Sequence, residues 1–369
     1  MKDERTPTEE DRTKTLLNQT RPALTARGTI PAPPIRSREG DEIHTAPEMA
    51  VAEGDVRTAE EGAEVLSGTS LWKDAWRRLL KNRLAVFGLV VVCLITLASL
   101  VGPPIIKATT GYTYDYIPPD TKLIKSFPPF TAPDGQSFSW SHPMGTDSAG
   151  RDMLARVLLG GRISLMVGII ATFVSLLIGI AYGATAGYLG GKIDDAMMRV
   201  VDVLYAIPYM MIVIVLLAMF GGQSALGQLI LLFIALGAVS WLTMARIVRG
   251  QVISLKNQEF VLAARATGVS TPKIIFRHLV PNTLGPVIVY ATLTIPSVML
   301  QESFLSFLGL GVQAPLASWG SLAAEGIQNI AIFPWQLIFP GVTMALTLFS
   351  LNFLGDGLRD ALDPQMRKF

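Results

Sequence analysis

The sequence predicts an all-α, polytopic membrane protein with about six transmembrane helices. Three observations carry that prediction. Hydrophobic residues make up 50% of the 369 before 33 glycines are added, where soluble domains reach about 45–50% with glycine included. Charged residues are 16%, against about 25% in soluble domains, too few to wet a globule of this length. The apolar residues also gather in six runs, 84–106, 163–188, 203–220, 226–245, 284–310 and 337–354. Each approaches the ~20 residues a helix needs to cross a bilayer core of about 30 Å.

Each run has its own signals. The first is uncharged throughout and follows a segment, 72–83, in which Trp72, Lys73, Trp76, Arg77, Arg78, Lys81 and Arg83 interleave with apolar residues at helical spacing. That pattern predicts an interfacial cytoplasmic helix leading into the membrane. The second run carries Gly179, Gly183 and Gly187. Small residues every four positions let helix backbones approach closely, and packing within the chain is the expected use. Asp202 stands at the start of the third run, where an interfacial position is expected. Glu302 lies in the fifth run, and the sixth carries Pro340.

Basic residues set the orientation. Lys192 and Arg199 follow the second run, and Arg246, Arg249, Lys256, Arg265, Lys273 and Arg277 follow the fourth, whereas 221–225 and 311–336 hold no Lys or Arg. The connection after the first run breaks the pattern with Lys107, Lys122, Lys125, Arg151, Arg156 and Arg162, but the rule weakens in long loops. Both termini are therefore expected in the cytoplasm.

Residues 1–70 differ from the rest. All the Trp, Tyr and Phe lie after residue 70, and the segment holds 9 Lys/Arg against 14 Asp/Glu. It cannot bury enough apolar surface to offset its ordering entropy, so a disordered cytoplasmic tail is expected. No apolar core near Met1 marks a signal peptide. The expected organisation is a tail (1–70), an interfacial helix and first span (71–106), an extracytoplasmic connection (107–160), a transmembrane domain (161–356) with a cytoplasmic loop at 254–282, and a cytoplasmic end (357–369).

Several functions find no residues to support them. A net charge of +2 argues against nucleic acid as a partner. The phosphate-cradling Gly-x-x-x-x-Gly-Lys-Ser/Thr loop is absent, Gly191-Lys192 being followed by Ile193. Single Cys93 and the scattered His44, His142 and His278 suggest no metal centre or cofactor. A membrane hydrolase built on Ser224 lacks a histidine in any span to act as base. No catalysis by this chain is expected. A proton-coupled secondary transporter using Glu302 is the alternative, since a carboxylate at membrane depth is a functional candidate. A hydrogen-bonded packing role for Glu302 competes with it.

The strongest signal is the loop at 254–282. Good helix formers run to Thr267, Gly268 can take the left-handed conformation that ends a helix, and Ser270 or Thr271 can cap a second helix with Pro272 at its start. Pro281 is expected to stop that helix before the fifth span. Ala263 and Ala264 form a small-residue patch that suits a partner's groove.

This loop resembles the EAA loop of binding-protein-dependent ABC importer permeases: Glu-Ala-Ala, three residues, Gly, nine residues, Ile, one residue, Leu-Pro. The spacing is matched by Leu262-Ala263-Ala264, Gly268, His278 and Val280-Pro281, with Leu262, His278 and Val280 departing from the pattern. Residues 144–152 (Met-Gly-Thr-Asp-Ser-Ala-Gly-Arg-Asp), 161–165, 305–312, Ser318-Trp319-Gly320 and Leu362-Asp363-Pro364 resemble the oligopeptide, dipeptide and nickel branch, second permease subunit type. The resemblance spans residue 71 to the C-terminal end.

It implies a type I ABC importer permease fold in the cell (inner) membrane. It also implies a homologous permease partner, two ATP-binding subunits, an extracytoplasmic substrate-binding protein and a peptide substrate. Leu262, Ala263, Ala264, Arg265, Gly268 and Pro281 would couple to the ATPases, with Glu302 serving the pathway or packing.

Overall fold

A computed structural model of the chain describes residues 71–117, 126–131, 137–221 and 224–362. The 1–70 tail, predicted to be disordered, lies outside the described residues, as does 363–369.

The first helix, α1 (Leu71–Lys81), is amphipathic, and Ala75 and Leu79 sit against Ala85 and Ala361. Asn82 breaks the chain and caps α2 (Arg83–Thr110), its side chain accepting from Leu84 N and Ala85 N. Gly111 ends α2 in the left-handed region at φ 76°.

Helix α3 (Met153–Leu189) starts ten residues before the apolar run that signals it. Its 37 residues give a rod of about 55 Å. Arg156 and Arg162 interrupt the hydrophobic signal in its first turns. Arg156 is nonetheless fully buried, because Asp147 and Glu325 neutralise it.

The third run is not one straight span. Helix α4 (Gly191–Ala206) and α5 (Tyr209–Phe220) meet at 74°. Pro208 has no N–H to continue the ladder and disfavours helical backbone at Ile207, which is extended at φ −84°, ψ 130°.

Helix α6 (Ala225–Leu255), capped by Ser224, runs ten residues past the fourth apolar run. Helices α7 (Glu259–Ala266) and α8 (Thr271–Lys273) and a π-helical turn (Ile274–Leu279) lead into α9 (Val280–Phe307). Helix α10 (Trp319–Gln328) and α11 (Trp335–Leu362, with Pro340 inside) complete the described chain. Five helices among the described residues are long and apolar enough to cross a membrane, six spans if α4 and α5 make one.

The broadest packing is between α3 and α6. A Cβ on Gly179 would stand 2.6 Å from Met244 Cβ, one on Gly187 2.8 Å from Arg249 O, and one on Gly183 would collide with Ala245 O. The glycine stripe is thus spent on packing inside the chain, as expected. Two clusters flank this seam: one around Leu232, Val213 and Val298, the other around Val248, Val261 and Leu279.

Candidate functional site

The elbow between α6 and α9 is built from two fixed ends. At its start, Lys256 Nζ donates to Gly187 O at 3.0 Å, meeting a carbonyl in the last turn of α3, where the helix dipole favours a cation. Beside it, Arg249 grips Asp194 of α4 through Nε and Nη2 at 2.6 and 2.7 Å. Such paired, charge-assisted bonds fix direction as well as distance.

Helix α7 is short, and its end is closely specified. Gly268, at φ +78°, donates to Arg265 O at 3.0 Å, and Val269 N donates to Ala264 O at 3.1 Å. These are the two bonds of a Schellman ending. Gly268 therefore does what the sequence leads one to expect. Val261 and Ala264 face inward, packed with Val248, Val252, Ile274 and Leu279. The patch expected from Ala263 and Ala264 does not form. The two lie on different sides of α7, Ala263 exposed and Ala264 only 8% exposed.

The outward face carries Leu262 instead, 46% exposed, with Phe260 on α7 and Phe276 in the π-helical turn also exposed. Both phenylalanines escape a reading based on motif spacing alone. Their aromatic character in a polar loop is the signal that could have found them. Arg265 lies with its guanidinium carbon 5.6 Å from the Tyr188 ring centroid.

Pro281 does not stop the chain before the fifth span. It sits at the start of α9, directly after the π-helical turn, where Val280 N bonds five residues back to Ile275 O. A proline ring clashes with the carbonyl four residues earlier in a regular α-helix. The wider π turn makes room for it, and such turns recur at functional sites. Ser270 occupies the cap position of α8 without a side-chain bond, and Pro272 lies within the first two positions.

Glu302 is fully buried near the C-terminal end of α9. Its Oε1 accepts from Ser306 Oγ and Ser318 Oγ, both at 2.6 Å. Ser318 caps α10, so the carboxylate ties α9 to α10.

A second polar cluster, also tied to α10, holds the 144–152 motif. Asp147 accepts from Ala149 N, Arg151 N, Arg151 Nε and Arg156 Nη1 at 2.6–2.8 Å. Arg156 reaches on to both oxygens of Glu325 in α10. Asp152 caps α3 through Ala155 N and pairs with His142 Nδ1 at 2.8 Å. Trp319 is fully buried, its Nε1 donating to Val157 O at 2.8 Å. These residues fasten α3 to α10.

Among the described residues, five or six apolar helices long enough to cross a membrane, with a helical elbow packed between two of them, define a polytopic membrane protein. The family model described as the inner membrane component of binding-protein-dependent transport systems matches residues 175–368, and that of the N-terminal transmembrane domain of oligopeptide transport permease C matches 70–121.

The chain is 49% identical over 321 residues to the oligopeptide transport system permease protein OppC of Escherichia coli K12, covering 86% of this chain and 100% of that one. It is 47% identical to OppC of Haemophilus influenzae (82% and 91% covered) and 44% identical to the dipeptide transport system permease protein DppC of Bacillus subtilis (81% and 87%). The chain belongs to the binding-protein-dependent permease family, with the type I importer permease fold. The match covering 86% of the chain is longer than the stretch after residue 70, so part of the N-terminal segment shares in the similarity.

Proposed function

We propose that this chain is a peptide-importing permease subunit. It lines a pathway through the inner membrane together with a homologous permease. Two cytoplasmic ATPases drive it, and an extracytoplasmic binding protein delivers the peptide. The similarity to oligopeptide and dipeptide permeases supports the substrate class. The basic elbow and the number of crossings support cytoplasmic termini.

The observation that carries the mechanism is the two-sidedness of α7. Its inner face is packed into the α6–α9 cluster, and its outer face offers Leu262 and, with the next turn, Phe276 to a partner. A segment held this way transmits a push as a lever does, because its buried face cannot slip without opening a close-packed core. ATP binding by the ATPases displaces α7, and the displacement passes through the π-helical turn to α9 and through Lys256 and Arg249 to α3 and α4. ATP and the loaded binding protein each favour one conformation, and that difference in affinity drives the cycle. Catalysis resides in the ATPases, and this chain supplies none.

The test is peptide uptake into vesicles holding the full complex. Uptake that requires ATP and the binding protein and survives a protonophore supports the reading. Uptake abolished by the protonophore and indifferent to ATP would support the Glu302 proton carrier instead.

A further inference from the structure

A cavity of about 340 Å³ opens where the α4–α5 break faces α6 and α9. A second, of about 520 Å³, lies between α6, α9 and the end of α11. Tyr290 and Leu293 line both, so the two form one groove. On α9 the lining runs Gln301, Ser297, Thr294 and Tyr290 in the first cavity, then on to Pro286 and Gly285 in the second. From Gln301 to Pro286 the steps are three and four, which keep these residues on one stripe of the helix, with Gly285 next to Pro286. From Gly285 to Gln301 the stripe is about 24 Å long, most of a bilayer core. Glu302 lines neither cavity.

The wall has a definite chemistry. The first cavity is lined by no Asp, Glu, Lys, Arg or His. Asp202 and Arg246, which line neither cavity, are paired with each other at 2.7 Å on exposed side chains, with Arg246 stacked 4.4 Å over Tyr205. Ser240, Thr294 and Ser297 each donate to a carbonyl of their own helix, Leu236 O, Tyr290 O and Leu293 O, at 2.8–3.1 Å. Their protons are committed, so each oxygen has lone pairs left only to accept.

The break at Ile207-Pro208 adds the carbonyls of the last turn of α4 and the N–H groups of Tyr209 and Met210 at the start of α5, which have no partners within their helices, Met211 N being bonded to Pro208 O at 2.9 Å. Open backbone at membrane depth is tolerated where it lines a polar cavity.

Resting on the permease reading, we propose that this groove is the surface along which the peptide main chain crosses. The hydroxyl oxygens of Ser240, Thr294 and Ser297 and the open backbone around Pro208 serve its N–H and C=O groups, and no wall residue of the first cavity selects a side-chain charge, Arg359 standing only in the second. A ligand carrying regular donors and acceptors along an arbitrary set of side chains fits such a wall. A site built for one charged side chain would present a fixed opposite charge.

The test uses the assembled complex with Cys93→Ala, which removes the chain's one cysteine. Thr294→Cys, Ser297→Cys and, on the facing helix, Ser240→Cys are compared with Ile234→Cys, which lies on the far side of α6 and is 58% exposed. The probe is a membrane-impermeant, anionic methanethiosulfonate, and the readouts are labelling rate and peptide uptake.

Groove positions are expected to label at least ~10-fold faster during ATP turnover than position 234, because only a watered groove admits the reagent. Labelling is expected to block uptake. Equal labelling at 234, or groove labelling that leaves uptake unchanged, would overturn the proposal. The substrate class fails separately: turnover-dependent groove labelling in a complex that takes up no peptide keeps the pathway and overturns the peptide.

Discussion

Val269 donates its backbone N–H to the carbonyl of Ala264 at 3.1 Å, spanning Gly268 at φ +78°. That bond turns the chain out of α7 and aims it at the π-helical turn. The direction of the elbow depends on one glycine.

Gly268→Val is expected to leave the protein in the membrane and abolish uptake. No atom lies within 4 Å of a Cβ built there, so the cost is conformational, about 1–3 kcal/mol for a β-branched residue held at positive φ. Gly268→Asn, which tolerates this region better, is expected to retain most uptake. Comparing the two variants in one uptake assay separates backbone conformation from crowding.

Ala264→Arg is expected to act through folding. The side chain would enter the cluster of Val248, Val261 and Leu279, and an unpaired buried charge there is costly. Melting of the purified chain in detergent should fall, and the protein should be poorly recovered from membranes. Leu262→Glu places the residue the motif expects at an exposed position, so melting should stay unchanged; uptake should stay within about twofold, because the proposed partner groove is expected to accept the motif's own residue.

Arg249→Ala is expected to destabilise by roughly 1–3 kcal/mol, less than a fully buried pair, because Arg249 is one-third exposed while Asp194 is 9% exposed. The double variant Arg249→Gln/Asp194→Asn should recover part of the loss, since it leaves no lone charge. Thermal melting of the wild type, Arg249→Gln, Asp194→Asn and the double variant closes the cycle.

Glu302→Gln keeps an acceptor for Ser306 and Ser318 and is expected to preserve ATP-driven uptake. Glu302→Leu strips both hydroxyls of their partner and should cost about 1–3 kcal/mol for each one left unpaired. Loss of uptake in Glu302→Gln with unchanged melting would return the proton-carrier reading.

Much of this was legible in the sequence, and what was missed has physical causes. Apolar runs located the crossings because length and hydropathy are local properties. The break at Pro208 stayed hidden because the residues around it are apolar on both sides. The start of α3 was obscured by Arg156, whose partner Glu325 is 169 residues away. The Leu-Ala-Ala spacing located the elbow, and Gly268 gave its turn. Spacing could not say which alanine points inward, since that depends on where α6 and α9 stand. The residues of the groove carry no motif, because hydroxyls bonded to their own helix look like ordinary serines and threonines in a span.

The central claim is that the outer face of α7 is the ATPase contact, and Ala263→Arg tests it most directly. Ala263 is exposed, so its replacement leaves the packed face untouched. The measurement is the affinity of the purified ATPase subunit for the permease complex, with melting recorded on the same sample. The expected result is binding weakened about 10-fold or more, a loss of at least ~1.4 kcal/mol, at unchanged melting temperature. Undiminished affinity and normal uptake by Ala263→Arg would contradict the coupling role of this elbow.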